Sequence, residues 1–184
     1  MEILPGDSFA FDGFDLKILT QSHIPNQIMA TPRLPVSTIE IGSKIPTDHP
    51  YTQDALRKMI FALGKKLAPE LLIEPAKDIA DQLGLHPSGW RISRARKRSL
   101  GSCNSDRIIS FSPLVTFMPL EVRNYIACHE LTHLVHFNHS FAFHRLCNSN
   151  CLKLYGKPEY YFKHLLRTVI RDRSTLVNLL IISA

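Results

Sequence analysis

The chain has 184 residues, of which 45% are hydrophobic and 21% are charged, and its formal net charge is +6. This composition is ordinary for a globular protein, and the length suffices for one domain with a proper core, with or without appendages. The moderate positive charge permits contact with anionic partners but does not require it. No basic region followed by an apolar run opens the chain, and no apolar run is long enough for a membrane span, so we predict neither a secretory signal nor a membrane anchor.

The first part of the chain, residues 1–50, is predicted to be β-rich and irregular. Residues 9–14 are typical of a hairpin with Asp12 and Gly13 at its turn, and residues 38–41 alternate like a short strand. This segment carries no recognisable chemistry, and we expect it to cover a sheet.

Helices are predicted over residues 51–84, where apolar residues recur at helical spacing. Pro69 and Pro75 are expected to divide this region, and Gly84 fits a C-terminal stop. Two strands are predicted next, over residues 90–96 and 107–111, with residues 101–105 as the turn between them.

A basic cluster overlaps the first of these strands, and it consists of Arg91, Arg94, Arg96, Lys97 and Arg98. Such a run is more often a solvated strand edge than a binding surface. The functional interpretation is a patch that contacts phosphate groups, which would permit weak nucleic-acid binding.

The segment with clear chemistry is a predicted helix over residues 119–137, with Pro119 in its first turn. It contains a His-Glu-x-x-His motif. His129 and His133 are four residues apart, so they share one helix face and can reach one metal ion. Glu130 projects about 100° away around the helix axis, where it can act on a water at the metal without being a ligand. The surrounding apolar residues predict a buried helix, in which unpaired histidines would be unfavourable.

The third metal ligand needs a change in chain direction. His136 lies on the same face but about 10 Å along the axis from His129, so a straight helix cannot bring all three histidines to one ion. Asn138 is tolerated in the left-handed conformation that ends helices, so we expect the chain to reverse there. His139 is then the preferred ligand, with Glu159 and His144 as alternatives.

The C-terminal part is predicted to contain two further helices. The first spans residues 140–153 and is capped by Ser140, and the second spans residues 159–168. Residues 169–184 form a tail to which the sequence assigns no structure. The predicted domain division is therefore residues 1–50, 51–168 and 169–184.

The four cysteines are Cys103, Cys128, Cys147 and Cys151, and their spacing does not suggest a disulfide framework. We expect reduced thiols in a cytoplasmic protein. Cys147 and Cys151 could join a structural zinc site, but two further ligands at a suitable spacing are not evident, so helix packing is the favoured interpretation.

From Trp90 onward the sequence resembles the YgjP-like zinc metallopeptidases, which are relatives of the SprT/Spartan-type proteases. The resemblance spans roughly residues 51–150 and is carried by residues 101–103, 119–131 and 136–143. It implies a compact zincin-like α+β domain, in which a small antiparallel or mixed sheet packs on the His-Glu-x-x-His helix and flanking helices. It also implies that one zinc ion is bound by His129, His133 and His139, with Glu130 as the catalytic residue. Leu100 and His144 stand where the family has tryptophan.

The chemistry expected from this pattern is hydrolysis of peptide or protein substrates by a zinc-activated water. Glu130 would act as general base and then as general acid. Tyr125 and Tyr160 are the candidates for a second oxyanion donor, and residues 107–111 are predicted to be an edge strand that pairs with an extended peptide. The alternative function is a non-catalytic, zinc-stabilised module that binds nucleic acid through the basic cluster.

Overall fold

The computed structural model describes residues 2–93, 99–172 and 174–182. Within these residues it contains two small β-sheets and six α-helices, so the predicted α+β class is confirmed.

The N-terminal sheet has four strands, in the order β1-β2-β4-β3. They are β1 (Ser8–Phe11), β2 (Phe14–Gln21), β3 (Ile28–Thr31) and β4 (Val36–Gly42). The predicted hairpin is confirmed, because Phe11 pairs with Phe14 across the two-residue turn and Gly13 adopts the left-handed φ of 97° that the turn requires. β2 and β4 run parallel. Alternate apolar residues of both strands point into the core, as the period of a half-buried strand dictates.

The helical region contains α1 (Pro50–Ala68) and α2 (Glu74–Leu83). The predicted division at the prolines is confirmed, because α1 ends directly before Pro69 and Pro75 lies in the first turn of α2. A π-helical turn at Pro69–Ile73 joins the two helices. Proline is tolerated in a first turn, where its missing N–H would have no partner in any case. The predicted stop at Gly84 is confirmed, since Gly84 has a left-handed φ of 67°.

The second sheet differs from the prediction in two ways. Its strands are β5 (Gly89–Ile92), β6 (Gly101–Cys103) and β7 (Ile108–Phe111), in the order β5-β7-β6. First, residues 101–105 are not a turn, because Gly101–Cys103 pairs with β7 in antiparallel fashion. Second, β7 is the central strand and pairs with β5 in parallel, so residues 107–111 are not an edge. The free edge near the motif belongs to β6.

The remaining helices are α3 (Leu120–Thr132), α4 (Phe141–Tyr155), α5 (Glu159–Arg171) and α6 (Leu176–Ile182), and a 3₁₀ segment spans Pro113–Phe117. The helix that carries the motif therefore ends at Thr132 and not at residue 137. Ser140 caps α4 as predicted, because its side chain accepts a hydrogen bond from the N–H of Phe143. Among the described residues, no helix combines the length and apolarity needed to cross a membrane.

One hydrophobic core joins the N-terminal sheet, α1, α2, α3 and α6. It includes Leu16, Ile39, Leu56, Val122 and Leu180, which are all at most 2% exposed. A smaller cluster lies where α3, α4 and α5 meet, and it is built around Tyr125, Cys128, Phe143 and Phe162. The helix α3, which carries the His-Glu-x-x-His motif, is therefore packed between two apolar clusters.

The hairpin turn of the N-terminal sheet also contacts α3 directly. The carboxylate of Asp12 accepts a hydrogen bond of 2.6 Å from the N–H of Leu120, the first residue of α3. The backbone carbonyl of Asp12 accepts a second bond from the guanidinium of Arg123, which is only 5% exposed. A carboxylate at a helix N-terminus satisfies a free N–H and opposes the positive end of the helix dipole. The N-terminal segment therefore caps the motif helix as well as covering the core.

The burial of α6 gives a first testable prediction. Leu180 is 2% exposed and packs in the main core, so Leu180→Ala should lower the free energy of unfolding by roughly 2–4 kcal/mol. Leu152→Ala is the control, because Leu152 is 47% exposed and its loss should change stability by no more than about 0.5 kcal/mol. Equal effects in denaturant unfolding would show that α6 is not part of the core in solution.

Candidate metal centre and cleft

Three histidine side chains converge at the C-terminal end of α3. His129, His133 and His139 each offer a ring nitrogen, and these atoms lie within 4.8 Å of one another. The Nε2 atoms of His129 and His139 are 3.0 Å apart. Two nitrogens bound to one tetrahedral zinc ion would be about 3.3 Å apart, given zinc–nitrogen bonds of about 2.0–2.1 Å. The three donors therefore fit one zinc ion with little adjustment.

The ring of Phe143 is packed against all three imidazoles. Its centroid lies 4.9 Å from His129, 4.4 Å from His133 and 4.9 Å from His139. Phe143 is fully buried in the first turn of α4. The α4 helix thus supplies a rigid apolar wall that limits the rotation of the three rings.

The chain reversal that brings His139 back begins at His133, the C-cap residue of α3. The N–H of His133 donates to the carbonyl of Glu130 at 3.2 Å, which tightens the last turn. The ring Nδ1 of His133 lies 3.0 Å from the carbonyl oxygen of His136, an acceptor only, so Nδ1 carries the proton and Nε2 is left for a metal. Half-buried His136 thus contributes its backbone carbonyl to the site, and it is not one of the residues that line the cleft.

Asn138 lies at a bend of the chain, as the sequence predicts, but it does not adopt the left-handed conformation expected there. Among the described non-glycine residues, only Arg107 has a positive φ, of 60°. Arg107 also donates from its Nη1 atom to the carbonyl of Leu134 at 3.3 Å. The reversal is therefore held by a contact from the turn before β7, which a local pattern around Asn138 could not reveal.

Glu130 is buried between α3 and the edge strand β6. It is 6% exposed, and burial, followed by the nearness of Cys147, raises its pKa to about 8. A Cβ atom added at Gly101 would lie 2.6 Å from the Glu130 Oε1 atom. Only glycine at this position leaves room for the carboxyl group.

The histidines and Glu130 open into a cavity of about 410 Å³. β6 forms one wall and α3 forms another, and Leu100, Ile126 and Leu166 add apolar surface. Cavities of this size, with an apolar lining and a few convergent polar groups, are typical binding sites for small ligands or single side chains.

The two candidate tyrosines differ in position. Tyr125 is 3% exposed and lines the cavity with its ring, but its hydroxyl donates to the Glu159 carboxylate at 3.5 Å. Burial raises the pKa of this hydroxyl, so it stays protonated at neutral pH. Tyr160 is 75% exposed and is not among the cavity-lining residues.

The alternative ligands Glu159 and His144 pair with each other. His144 Nδ1 lies 3.1 Å from Glu159 Oε1, and Lys163 Nζ lies 2.9 Å from the same oxygen. Burial would raise the pKa of Glu159, but the hydrogen bonds from Lys163 and His144 outweigh it and hold the pKa below its usual value. The carboxylate of buried Glu159 is thus paired with His144 and Lys163.

Of the basic cluster, the structure describes Arg91 alone, and it is exposed on β5. Arg94, Arg96, Lys97 and Arg98 lie outside the described residues. Nucleic-acid contact through this cluster stays a prediction.

Sequence reasoning missed three residues that shape the site: Gly101, Arg107 and Phe143. Gly101 and Phe143 fall within the segments that carry the family resemblance. The resemblance therefore points to these residues but does not predict what they do in the site. The contact of Arg107 with the Leu134 carbonyl joins residues 27 positions apart and leaves no local pattern.

Comparison with known proteins shows the family to which the chain belongs. The model of the YgjP-like metallopeptidase domain matches residues 1–154. The solved structure of the metallopeptidase zymogen abylysin from Pyrococcus abyssi matches 56% of this chain and 95% of its own, with a TM-score of 0.45 and 22% sequence identity. Among curated proteins, none matches significantly. Because the family model covers most of the chain, this protein belongs to the YgjP-like metallopeptidase family.

Proposed function

We propose that this protein is a zinc-dependent peptidase in which His129, His133 and His139 bind one zinc ion. The observation that carries the proposal is the convergence of three imidazole nitrogens beside a buried glutamate in an open cleft. Membership of a metallopeptidase family supports a metal, which is usually zinc. Zinc bound by three neutral imidazoles would lower the pKa of a water in its fourth position towards about 7 and would polarise the substrate carbonyl.

Glu130 is the proposed general base and acid. Its raised pKa, about 8 in the metal-free chain, shows that the protein alone favours the protonated carboxyl group. A nearby cation favours the ionised form, in which Glu130 can take a proton from the attacking water. It can then pass that proton to the amine that leaves when the peptide bond breaks.

The proposed substrate is an extended peptide that lies along β6. Among the described residues, β6 pairs with β7 alone, and Gly101, Ser102 and Cys103 of β6 line the cleft. An unpaired strand edge offers N–H and C=O groups to a peptide, and the apolar cavity can accept one of its side chains. β6 thus takes the role that the sequence assigned to residues 107–111.

Tyr125 is the proposed oxyanion donor, because of the two tyrosines it alone lines the cavity. Its hydroxyl would have to leave Glu159 and turn towards the substrate oxygen. Such a donor strengthens its hydrogen bond as negative charge develops on the oxygen in the transition state.

The proposed role of Glu130 is tested by Glu130→Gln. This change keeps the size of the side chain but removes the base, so cleavage of an unfolded protein substrate should fall by about 10²-fold or more. Zinc content, measured by mass spectrometry of the metal, should remain at one ion per chain. Full activity in the variant would contradict the mechanism, and loss of zinc would make Glu130 a ligand.

The ligand set is tested by a matched pair of histidine variants. His139→Ala removes a donor nitrogen and should lose most zinc affinity. His136→Ala should keep near-normal zinc content, because His136 contributes its backbone carbonyl to the site and not its ring. If the two results are reversed, the assignment of the third ligand is wrong. If neither variant loses zinc, Glu159 becomes the next residue to change.

The contact between β6 and Glu130 gives a fourth prediction. Gly101→Ala should displace the Glu130 carboxyl group and lower kcat, while zinc content stays the same, since the added Cβ would lie within 3 Å of three Glu130 atoms. Gly89→Ala is the control in the neighbouring strand, because its Cβ would meet only Ile108, at an ordinary 3.7 Å. Equal activity in the two variants would show that the carboxyl group does not need its observed position.

A further inference from the structure

Three of the four cysteines meet in the interior beside the histidine centre. Cys128 comes from α3, and Cys147 and Cys151 come from α4. All three are fully buried, and their sulfur atoms lie within 4.8 Å of one another. The sulfurs of Cys128 and Cys151 are 3.9 Å apart, so the thiols are free and in contact. The fourth cysteine, Cys103, lies on β6 and is not part of this group.

Helix geometry explains why the sulfurs converge. Cys147 and Cys151 are four residues apart and so share one face of α4, which packs on α3. Cys128 immediately precedes His129 and points into the contact between the two helices. Buried cysteines often serve as small apolar residues. Simple packing, however, does not require three sulfurs from two helices to approach one point, whereas a metal ion does.

We propose that Cys128, Cys147 and Cys151 form a second metal site, which is selective for a soft monovalent ion such as Cu(I). Thiolate sulfur is a soft ligand and favours such ions. Zinc in structural sites almost always takes four ligands. Among the described residues, no fourth histidine, cysteine, aspartate or glutamate joins this group. A three-sulfur site without a fourth donor suits Cu(I), because this soft ion carries a single charge and needs fewer donors than Zn²⁺.

Each of the three thiols that binds the ion does so as a thiolate and releases its proton to solvent, as metal binding by cysteine requires.

The two metal centres are close enough to influence each other. Cys147 belongs to a second group of potential ligands together with His129 and Glu159, whose donor atoms also lie within 4.8 Å of one another. An ion held by Cys128 and α4 would fix the position of α3 at the residue next to His129. The cysteine site is thus placed to stabilise the geometry of the histidine centre.

The test uses the full-length chain loaded with one equivalent of zinc and kept free of oxygen. Cu(I) is titrated in competition with the chelator bicinchoninate, and zinc and copper are counted after gel filtration. We expect one Cu(I) to bind per chain without release of zinc. X-ray absorption at the copper edge should show sulfur neighbours alone, and this measurement on the unmodified chain does not depend on the folding of any variant.

Variants then assign the ligands. Cys147→Ala and Cys151→Ala should weaken Cu(I) binding at least tenfold, with folding verified by circular dichroism. Cys103→Ala is the matched control and should bind Cu(I) like the unmodified chain, because Cys103 lies outside the cluster. His139→Ala should also retain Cu(I), which separates this site from the histidine centre whether or not the proposed peptidase activity is found.

Four outcomes would overturn the proposal. They are Cu(I) affinity no greater than that of a folded variant lacking all three cysteines, displacement of zinc by Cu(I), nitrogen neighbours at the copper, and four-coordinate binding of a second zinc ion at the cysteines. Any of these would show that the sulfurs pack as apolar groups or serve another ion.

Discussion

The proposed zinc site sets a distance constraint: three imidazole nitrogens must reach one point about 2 Å away from each of them. A continuous helix satisfies this for His129 and His133 alone, because the next histidine on that face lies a full turn further along. The helix must therefore stop as soon as its second ligand is in place, and it does so, since His133 is the C-cap of α3. The His136 carbonyl then fixes the His133 ring, and Phe143 limits the rotation of all three rings.

Burial of Glu130 follows from the same arrangement. The carboxyl group lies beside Gly101 in an apolar setting that opposes its ionisation, as its raised pKa shows. An isolated carboxylate there would be destabilising, but a cation at the histidines would offset this effect. In the proposed function, a bound cation would therefore favour the ionised form of Glu130, which burial alone disfavours. Residues that keep Glu130 in place without being charged, such as Gly101, therefore matter as much as the charged residue itself.

Much of this could be predicted from short patterns. The Asp12-Gly13 hairpin, the stop at Gly84, the Ser140 cap and the His-Glu-x-x-His helix each depend on neighbouring residues, and each has a local signature. The errors arose where distant contacts decide. The strand Gly101–Cys103 has three residues, too few to show the alternation of apolar and polar residues, so its sequence predicts a turn. The order β5-β7-β6 and the early end of α3 depend on contacts such as Arg107 with Leu134, which no local pattern encodes.

The cap that Asp12 places on α3 has a consequence for folding. It joins residues 108 positions apart, so a long loop must close before it can form. The start of α3 lacks this partner until the hairpin has docked. A chain that has formed its local helices but not this contact would hold the histidines on an incompletely anchored helix. A metal bound at the histidines would therefore report whether the N-terminal hairpin has docked on α3.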